Sequence, residues 1–271
     1  TAPSMWTGAD RLDPPRSDTD NKPELYNLDA VGYESLMVGL FSIWRGRPKD
    51  YPARGKINDI CVGFSRDGFH WHRPWRKPIV PLSENPQAWN HSNMQSAGGC
   101  FLIVGDKLYF YVSGRMVRDI RVRKGFCSTG LATMRRDGFA SMDAGDQAGE
   151  LTTRPLKFSG KYLFVNLDAT DGQLQAEVLD ENGKVIEPFT RENCEALSAD
   201  KTLAQVKWKD APNLSKLSGK PVRFRFILKN GHLYSFWVSP DTSGASRGYT
   251  AAGGPGFTKD IDTVGADGYP E

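Results

Sequence analysis

The sequence has few cysteines and no long apolar run. Its four cysteines, Cys61, Cys100, Cys127 and Cys194, stand singly, without the paired spacing of a zinc or redox motif. Buried free thiols are therefore expected, and a disulfide between the second and third stays open because spacing cannot decide it. No stretch approaches the roughly 18 apolar residues of a membrane helix. The first residues, Thr1-Ala-Pro-Ser-Met5, contain neither an initiator Met nor the apolar core of a signal peptide.

An excess of one charge is also absent. The 35 basic residues are scattered among 32 acidic ones, for a net charge of +3, which gives no nucleic-acid footprint. The basic run Arg115–Lys124 is explained better as a solvated loop than as a binding patch. A phosphate-binding loop, a Ser/His/Asp triad and a metal-ligand cluster are likewise missing. Kinase, nucleophilic-hydrolase and redox functions therefore lack support, and we expect no cofactor, metal, nucleic acid or membrane partner.

A repeated stretch organises the first half of the chain. Val62-Gly-Phe-Ser-Arg-Asp-Gly-Phe-His-Trp71 returns 70 positions later as Ala132-Thr-Met-Arg-Arg-Asp-Gly-Phe-Ala-Ser141. Each copy contains an Asp-Gly pair, which predicts a hairpin because glycine takes positive φ without a Cβ clash. Strand-like runs, Ser35–Ser42 and Lys107–Ser113, precede the two copies. A repeated multi-stranded sheet is typical of β-propeller blades.

From residue 149 the pattern changes to alternating strands. Leu174-Gln-Ala-Glu-Val178 and Val222-Arg-Phe-Arg-Phe226 each place apolar side chains on one face. Asn182-Gly183 and Asn230-Gly231 predict two-residue hairpins. Period-two strands without a long helical pattern favour an antiparallel β-sandwich. We therefore predict an all-β chain with three parts: a partial β-propeller of about two blades plus part of a third (residues 1–148), a β-sandwich (149–240) and an extended C-terminal tail (241–271).

Three runs in the first half carry a family likeness: Leu25-Tyr-Asn-Leu-Asp-Ala-Val-Gly-Tyr-Glu-Ser35, Gly63-Phe-Ser-Arg-Asp-Gly-Phe-His-Trp71 and Leu131-Ala-Thr-Met-Arg-Arg-Asp-Gly-Phe-Ala-Ser141. They resemble the C-terminal part of five-bladed β-propeller glycosidases, the invertase/fructanase and arabinanase-like group, and particularly their uncharacterised bacterial relatives. Residues 151–226 resemble the β-sandwich that follows the propeller in such proteins. The resemblance implies a secreted or periplasmic glycoside hydrolase. It also implies three carboxylates around the propeller's axial funnel: a base or nucleophile, a transition-state stabiliser and a general acid.

The candidate catalytic residues are two acids in Leu25–Ile43, a run that predicts two strands with a turn near Tyr33-Glu-Ser. Glycoside cleavage uses two carboxyl groups about 5–5.5 Å apart for retention or about 6.5–9.5 Å apart for inversion. Asp29 and Glu34 are the best candidates, and the resemblance assigns Glu34 as general acid because it places an acid near the strand's tip; a solvated strand-end carboxylate is the alternative. Residues five apart on a strand face opposite ways, so at most one points at the funnel unless a bulge intervenes. Asp59 is either a substrate-binding residue or a buried, hydrogen-bonded turn acid.

Sugar recognition uses aromatic faces and planar polar groups. A loop that leads into a strand offers both kinds of group, in Trp89, Asn90, His91 and Gln95. These four residues are therefore candidates for substrate binding, with loop packing as the alternative. Arg115 ends a strand and is a candidate partner for a carboxylate or an acidic sugar; a surface salt bridge explains it equally well.

The two recognisable blades do not close a ring, because propellers have at least about four blades. We therefore expect the chain to be the C-terminal portion of a longer protein, with blades supplied by a missing N-terminal segment or a second chain. The base or nucleophile then lies outside these residues. The rival hypothesis is a non-catalytic carbohydrate-binding or assembly module, and a protein-interaction propeller is a third. Acids isolated by more than about 10 Å favour the binding module, since that exceeds the span of the inverting mechanism.

Overall fold

The structure of the protein, a computed structural model, describes residues 2–119 and 124–269. Within these residues the chain is built of β-strands and three short 3₁₀ helices, so the predicted all-β class is confirmed. No helix in them has the length and apolarity that crossing a membrane requires. The prediction of a solvated loop for the basic run Arg115–Lys124 is wrong for Arg115–Asp119 and Lys124, which belong to strands, and residues 120–123 lie outside the described residues. The strands are β1 (Glu24–Glu34), β2 (Leu36–Gly46), β3 (Ile57–Ser65), β4 (Asn93–Ser96), β5 (Leu102–Val104), β6 (Lys107–Asp119), β7 (Lys124–Arg135), β8 (Met142–Ala144), β9 (Gly149–Thr152), β10 (Tyr162–Asp168), β11 (Gln173–Asp180), β12 (Asp200–Gln205), β13 (Val222–Lys229), β14 (Gly231–Ser239) and β15 (Tyr249–Thr250), and the 3₁₀ helices are Pro52–Arg54, Ser215–Leu217 and Gly265–Gly268.

The first compact unit contains most of the first half of the chain. It comprises Thr1–Ile103, Leu108–Thr133 and Gly248–Gly254. Its sheet has the strand order β15-β1-β2-β3-β4-β6-β5, with β7 paired to β6. Strands β1 and β2 form the hairpin expected around Tyr33-Glu-Ser, and Phe41, Ile43 and Cys61 form a core behind it.

The two predicted blade-like groups of strands belong to one hydrogen-bonded sheet. β1, β2 and β3 pair antiparallel, as do β4 and β6, and a single parallel pair between Asn58 and Asn93 joins the two groups. The arrangement of these strands as propeller blades stays a prediction.

The two Asp-Gly turns differ. The first is a hairpin as predicted, because Phe64 and His72 exchange backbone hydrogen bonds of 2.9 and 2.8 Å, and Gly68 has φ of 74°. The second prediction is wrong: β7 pairs with β6, whereas β8 pairs with β14. There the positive φ, 55°, belongs to Asp137, since Asp tolerates the left-handed region better than most residues with a Cβ.

The second unit comprises Val104–Lys107, Met134–Arg247 and Pro255–Glu271. It contains two antiparallel sheets, with strand orders β12-β10-β14-β8 and β11-β13-β9. The predicted alternation is confirmed. The inward positions of β11 and β13 share one core with those of β10 in the other sheet: Leu174, Ala176, Val178, Val222, Phe224, Phe226, Leu163, Val165 and Leu167. The two sheets therefore pack face to face.

The two Asn-Gly turns of this unit also differ. Asn182-Gly183 closes a hairpin, with the Asp180 N–H donating to the Lys184 carbonyl at 2.8 Å and Gly183 at φ 87°. The hairpin predicted at Asn230-Gly231 is wrong, because β13 and β14 belong to different sheets. Gly231 is required there by close approach, since a Cβ would lie 2.6 Å from the Asp168 carbonyl oxygen. This turn carries the chain from one sheet to the other.

The C-terminal residues are held by backbone pairing and one buried acid. Thr250 in β15 pairs with Tyr33 of β1 in the first unit. In the second unit the buried Asp262 carboxylate accepts the Gly265 N–H at 2.9 Å and pairs with Arg136 Nη2 at 3.0 Å.

Candidate functional site

A row of side chains crosses five neighbouring strands of the first unit's sheet. The register pairs Glu24 with Trp44, Trp44 with Asn58, Asn58 with Asn93, and Asn93 with Arg115. Directly paired residues project from the same face of a sheet, so these five lie on one face. We call this set the polar row. At about 4.8 Å between strands it spans about 19 Å, with exposed ends at Glu24 and Arg115 and a buried centre at Asn58 and Asn93.

The centre of the polar row contains buried amides without partners. Asn58 and Asn93 are 0% and 2% exposed, and neither the nitrogen nor the oxygen of either amide has a hydrogen-bond partner among the described residues. Asn27 Oδ1 and Ser42 Oγ are likewise buried without a partner in the described chain, whereas the Gln95 side chain lies close enough to the Tyr26 hydroxyl to help lower its pKa. The register and the two-residue alternation place these three on the same face. Unpaired buried polar groups are few in native proteins, and each calls for an explanation.

Two cations stand beside the central amides of the row: Lys56 comes just before β3 and Arg115 lies on β6. Lys56 Nζ donates to the Tyr26 hydroxyl oxygen at 2.7 Å and lies 4.0 Å from the centre of its ring. The hydrogen bond and charge of Lys56, with smaller contributions from Gln95 and Arg115, lower the pKa of Tyr26. Within the described residues neither Lys56 nor Arg115 forms an ion pair. The β3-to-β6 side of the row is therefore electropositive.

The structure separates the two predicted catalytic acids. Asp29 and Glu34 lie five residues apart on β1, which at about 3.3 Å per residue is about 16 Å along the strand. That separation exceeds the span of both glycosidase mechanisms. Asp29 lies two residues beyond Asn27, on the face of the polar row. Beside it, burial and secondly the charge of Asp29 raise the pKa of the Cys100 thiol to about 12.

Glu34 is at the far end of β1, where the chain turns into β2. Its φ is 50°, a left-handed conformation that costs a residue with a Cβ on the order of 1–3 kcal/mol. Its carboxylate lies against Gly248, where a Cβ would come within 2.1 Å of Oε2. Such strained positions cluster at functional sites, and Glu34 keeps its predicted role as a proposal.

Asp59 lies in an ion pair rather than in the polar row. It follows Asn58 on β3 and so faces the opposite side of the sheet. Arg45 forms a bidentate ion pair with it: Nε donates to Oδ2 at 3.0 Å and Nη2 donates to Oδ1 at 3.0 Å. Asp59 is therefore the hydrogen-bonded acid given above as the alternative, but it is half-buried and lies in β3 rather than in a turn.

The loop residues predicted to bind substrate pack within the first unit. The Trp89 ring lies against Gly114 and Gly130, where an added Cβ would be 2.2 Å from it. Gly114 alternates with Arg115 on β6, so Trp89 covers the face opposite the polar row. Asn90 Nδ2 donates to the Pro81 carbonyl at 3.4 Å. His91 Nδ1 contacts the Ser83 carbonyl at 2.9 Å, and its buried Nε2 has no partner in the described chain.

Of the predicted residues, Gln95, Arg115 and Asp29 are therefore brought to one face. Sequence reasoning missed Glu24, Trp44, Asn58 and Asn93, because they come together only through the register of five strands. The one local signal was an Asn inside the apolar strand Ile57-Asn-Asp-Ile60. No group of three or more His, Cys, Asp or Glu side chains suited to a metal ion occurs in residues 2–119 and 124–269.

The four thiols are free, so the disulfide left open between Cys100 and Cys127 is not formed. Burial raises the pKa of Cys61 to about 12 and also raises that of Cys194, whereas Cys127 is exposed. Because the thiolate is the reactive form, we expect one cysteine to react with Ellman's reagent in the native protein and the rest only after unfolding. Cys127→Ser is expected to abolish the native reaction. A native reaction that survives this substitution would contradict the assignment.

No family model and no curated protein matches this sequence. Three solved structures share 12–15% identity with it, and the chain spans about half the length of each. A "putative glycoside hydrolase" from Parabacteroides distasonis ATCC 8503 has 15% identity, a TM-score of 0.28, and coverage of 61% of this chain and 53% of that one. A glycosyl hydrolase from Bacteroides ovatus has 15% identity, a TM-score of 0.26, and coverage of 61% and 51%. A glycoside hydrolase family 43 arabinoxylan arabinofuranohydrolase from Bacillus subtilis, in complex with cellotetraose, has 12% identity, a TM-score of 0.25, and coverage of 79% and 53%. Likenesses at these scores do not establish a shared fold.

Proposed function

We propose that this chain forms the carbohydrate-binding surface of a glycoside hydrolase that acts on poly- or oligosaccharides. The observation that carries the proposal is the polar row, in which Trp44, the unpaired amides of Asn58 and Asn93, and Arg115 stand side by side on one sheet face. Aromatic side chains offer an apolar face to a sugar ring, and an amide offers a donor and an acceptor to neighbouring hydroxyls. The sequence resemblance to propeller glycosidases points to the same class of substrate.

The catalytic part of the proposal uses Asp29 and Glu34 in different ways. Asp29 is on the face of the polar row and is proposed as the carboxylate that meets the sugar. Glu34 is proposed as general acid from the resemblance. Because the two are too far apart to act as one pair, each needs a partner carboxylate from a missing N-terminal segment or a second chain. The chain alone is then expected to bind glycans without hydrolysing them, and we propose that the whole protein acts outside the cytoplasm.

A non-catalytic carbohydrate-binding or assembly module is the second candidate. It is favoured by the separation of Asp29 and Glu34 along β1, since a binding surface needs no acid pair. Both candidates use the polar row, so glycan binding supports either one. Hydrolysis by the full-length protein distinguishes them.

The test is a hydrolysis screen of the full-length protein against a glycan library. For a general acid, Glu34→Gln is expected to lower kcat by about 10²–10⁴-fold, and Asp29→Asn to lower it as well. Glu192→Gln, at an exposed position of the second unit, is the matched control and is expected to keep full activity. Binding without hydrolysis would favour the module, and the absence of any glycan binding would remove both candidates.

A further inference from the structure

The polar row ends in positive charge that nothing in the described chain neutralises. Lys56 has three N–H donors, and one of them donates to the Tyr26 hydroxyl oxygen. Arg115 is exposed, and its guanidinium makes no hydrogen bond or ion pair with the described residues. We infer that the glycan bound by the polar row is anionic, with a carboxylate or sulfate group at the Lys56–Arg115 end. This inference rests on the proposed function and names its class of substrate.

The chemistry of the two cations suits such a group. A guanidinium presents its donors in a planar fork that matches the two oxygens of a carboxylate. Lys56 adds a compact point charge beside it. Lys56 comes two residues before Asn58, and Arg115 pairs with Asn93 in the register, so both cations stand beside the two central amides. Both charges, Lys56 first, also lower the pKa of Tyr26. An anionic group bound beside these amides would therefore lie near both cations.

The acids on the face of the polar row form no ion pair with either cation among the described residues. Glu24 and Asp29 both belong to β1, four strand spacings or about 19 Å from Arg115 on β6, whereas Lys56 lies nearer to β1 because it contacts Tyr26. Asp59 points from the other face of the sheet and is neutralised by Arg45 at 3.0 Å. The row thus has a direction, with hydroxyl-binding amides at Asn58 and Asn93 and an anion-binding end at Arg115.

The inference is tested by calorimetric binding to matched pairs of glycans. Oligogalacturonate is compared with its methyl ester, which keeps the sugar chain and removes the charge. Sulfated carrageenan oligosaccharides are compared with desulfated ones, and arabinan and xylan oligosaccharides serve as neutral ligands. We expect one acidic member to bind at least about tenfold tighter than its neutral partner, the gain typical of one charge-assisted hydrogen bond. The pair that shows the preference identifies carboxylate or sulfate.

The variants assign the preference to the two cations. Arg115→Gln and Lys56→Gln are expected to bring the affinity for the acidic glycan down to that of its neutral partner. Tyr26→Phe, which keeps both charges, is expected to retain the preference. Arg66→Gln removes an exposed arginine elsewhere in the first unit and is expected to change nothing. Equal binding of acidic and neutral members overturns the inference and leaves the proposed function standing, whereas no binding to any glycan overturns both.

Discussion

Replacing Asp13 by Asn is expected to destabilise the first unit by about 3–5 kcal/mol. The Asp13 carboxylate is completely buried, pairs with Arg73, and accepts from Arg76 Nη1 at 3.3 Å and from the Asp10 N–H at 2.9 Å. The Arg73 side chain is itself only 4% exposed. Removing the negative charge leaves a buried guanidinium uncompensated, which is the costly way to break a buried ion pair. Urea denaturation followed by tryptophan fluorescence measures the change as a lower midpoint.

The matched control for this substitution is Asp20→Asn. Asp20 pairs with Lys49 at the surface, with side-chain exposures of 77% and 54%, and such pairs contribute about 0–1 kcal/mol. If the two substitutions lower the urea midpoint equally, the ion pairs of Asp13 with Arg73 and Arg76 do not stabilise the first unit.

The double substitution Asn58→Leu, Asn93→Leu is expected to abolish glycan binding without destabilising the protein. Each amide is buried and unpaired in the described chain, and a buried polar group without a partner costs about 1–3 kcal/mol. An apolar side chain of similar size removes that cost, so the free energy of unfolding should stay unchanged or rise. Loss of function with gained stability is the behaviour of a binding site that is maintained at the expense of stability.

Asn166→Leu is the control for this pair. Asn166 is also fully buried, but its Oδ1 accepts from Arg135 Nε at 2.6 Å and its Nδ2 donates to the Arg136 carbonyl at 2.5 Å. Its replacement should destabilise the second unit by about 1–3 kcal/mol, because the Arg135 N–H and the Arg136 carbonyl would lose their hydrogen-bond partner. If Asn58→Leu and Asn93→Leu destabilise as much as Asn166→Leu, their amides are structural and the polar row has lost its main support.

Local pattern was enough to predict the strands but not their partners. The alternation in Leu174–Val178 and Val222–Phe226 identified the buried faces correctly. Successive side chains of a strand point to opposite faces, so the order of apolar and polar residues is enough to assign each face. Asn182-Gly183 and Asn230-Gly231 look alike in sequence, yet only the first closes a hairpin. The dipeptide sets the turn's backbone, whereas the sheets on either side decide which strands pair.

The site was only partly predictable for the same reason. Gln95 and Arg115 were found because their side chains have binding chemistry next to a predicted strand end, although β6 continues past Arg115 to Asp119. Asn58 and Asn93 carry no motif, and they meet through a parallel pairing across a long loop. Asp29 and Glu34 were close in sequence, but an extended strand keeps neighbours in sequence far apart in space.

The side-chain amide signals of Asn58, Asn93 and Gln95 provide the most direct measurement. The protein labelled with ¹⁵N is titrated with the glycan that binds tightest in the calorimetric panel, and the side-chain NH₂ resonances are followed by NMR. Saturable shifts of these three are expected, with the exposed Asn85 and Asn182 unmoved. Saturable shifts elsewhere in the protein, with Asn58, Asn93 and Gln95 unchanged, would show that the polar row is not where carbohydrate binds.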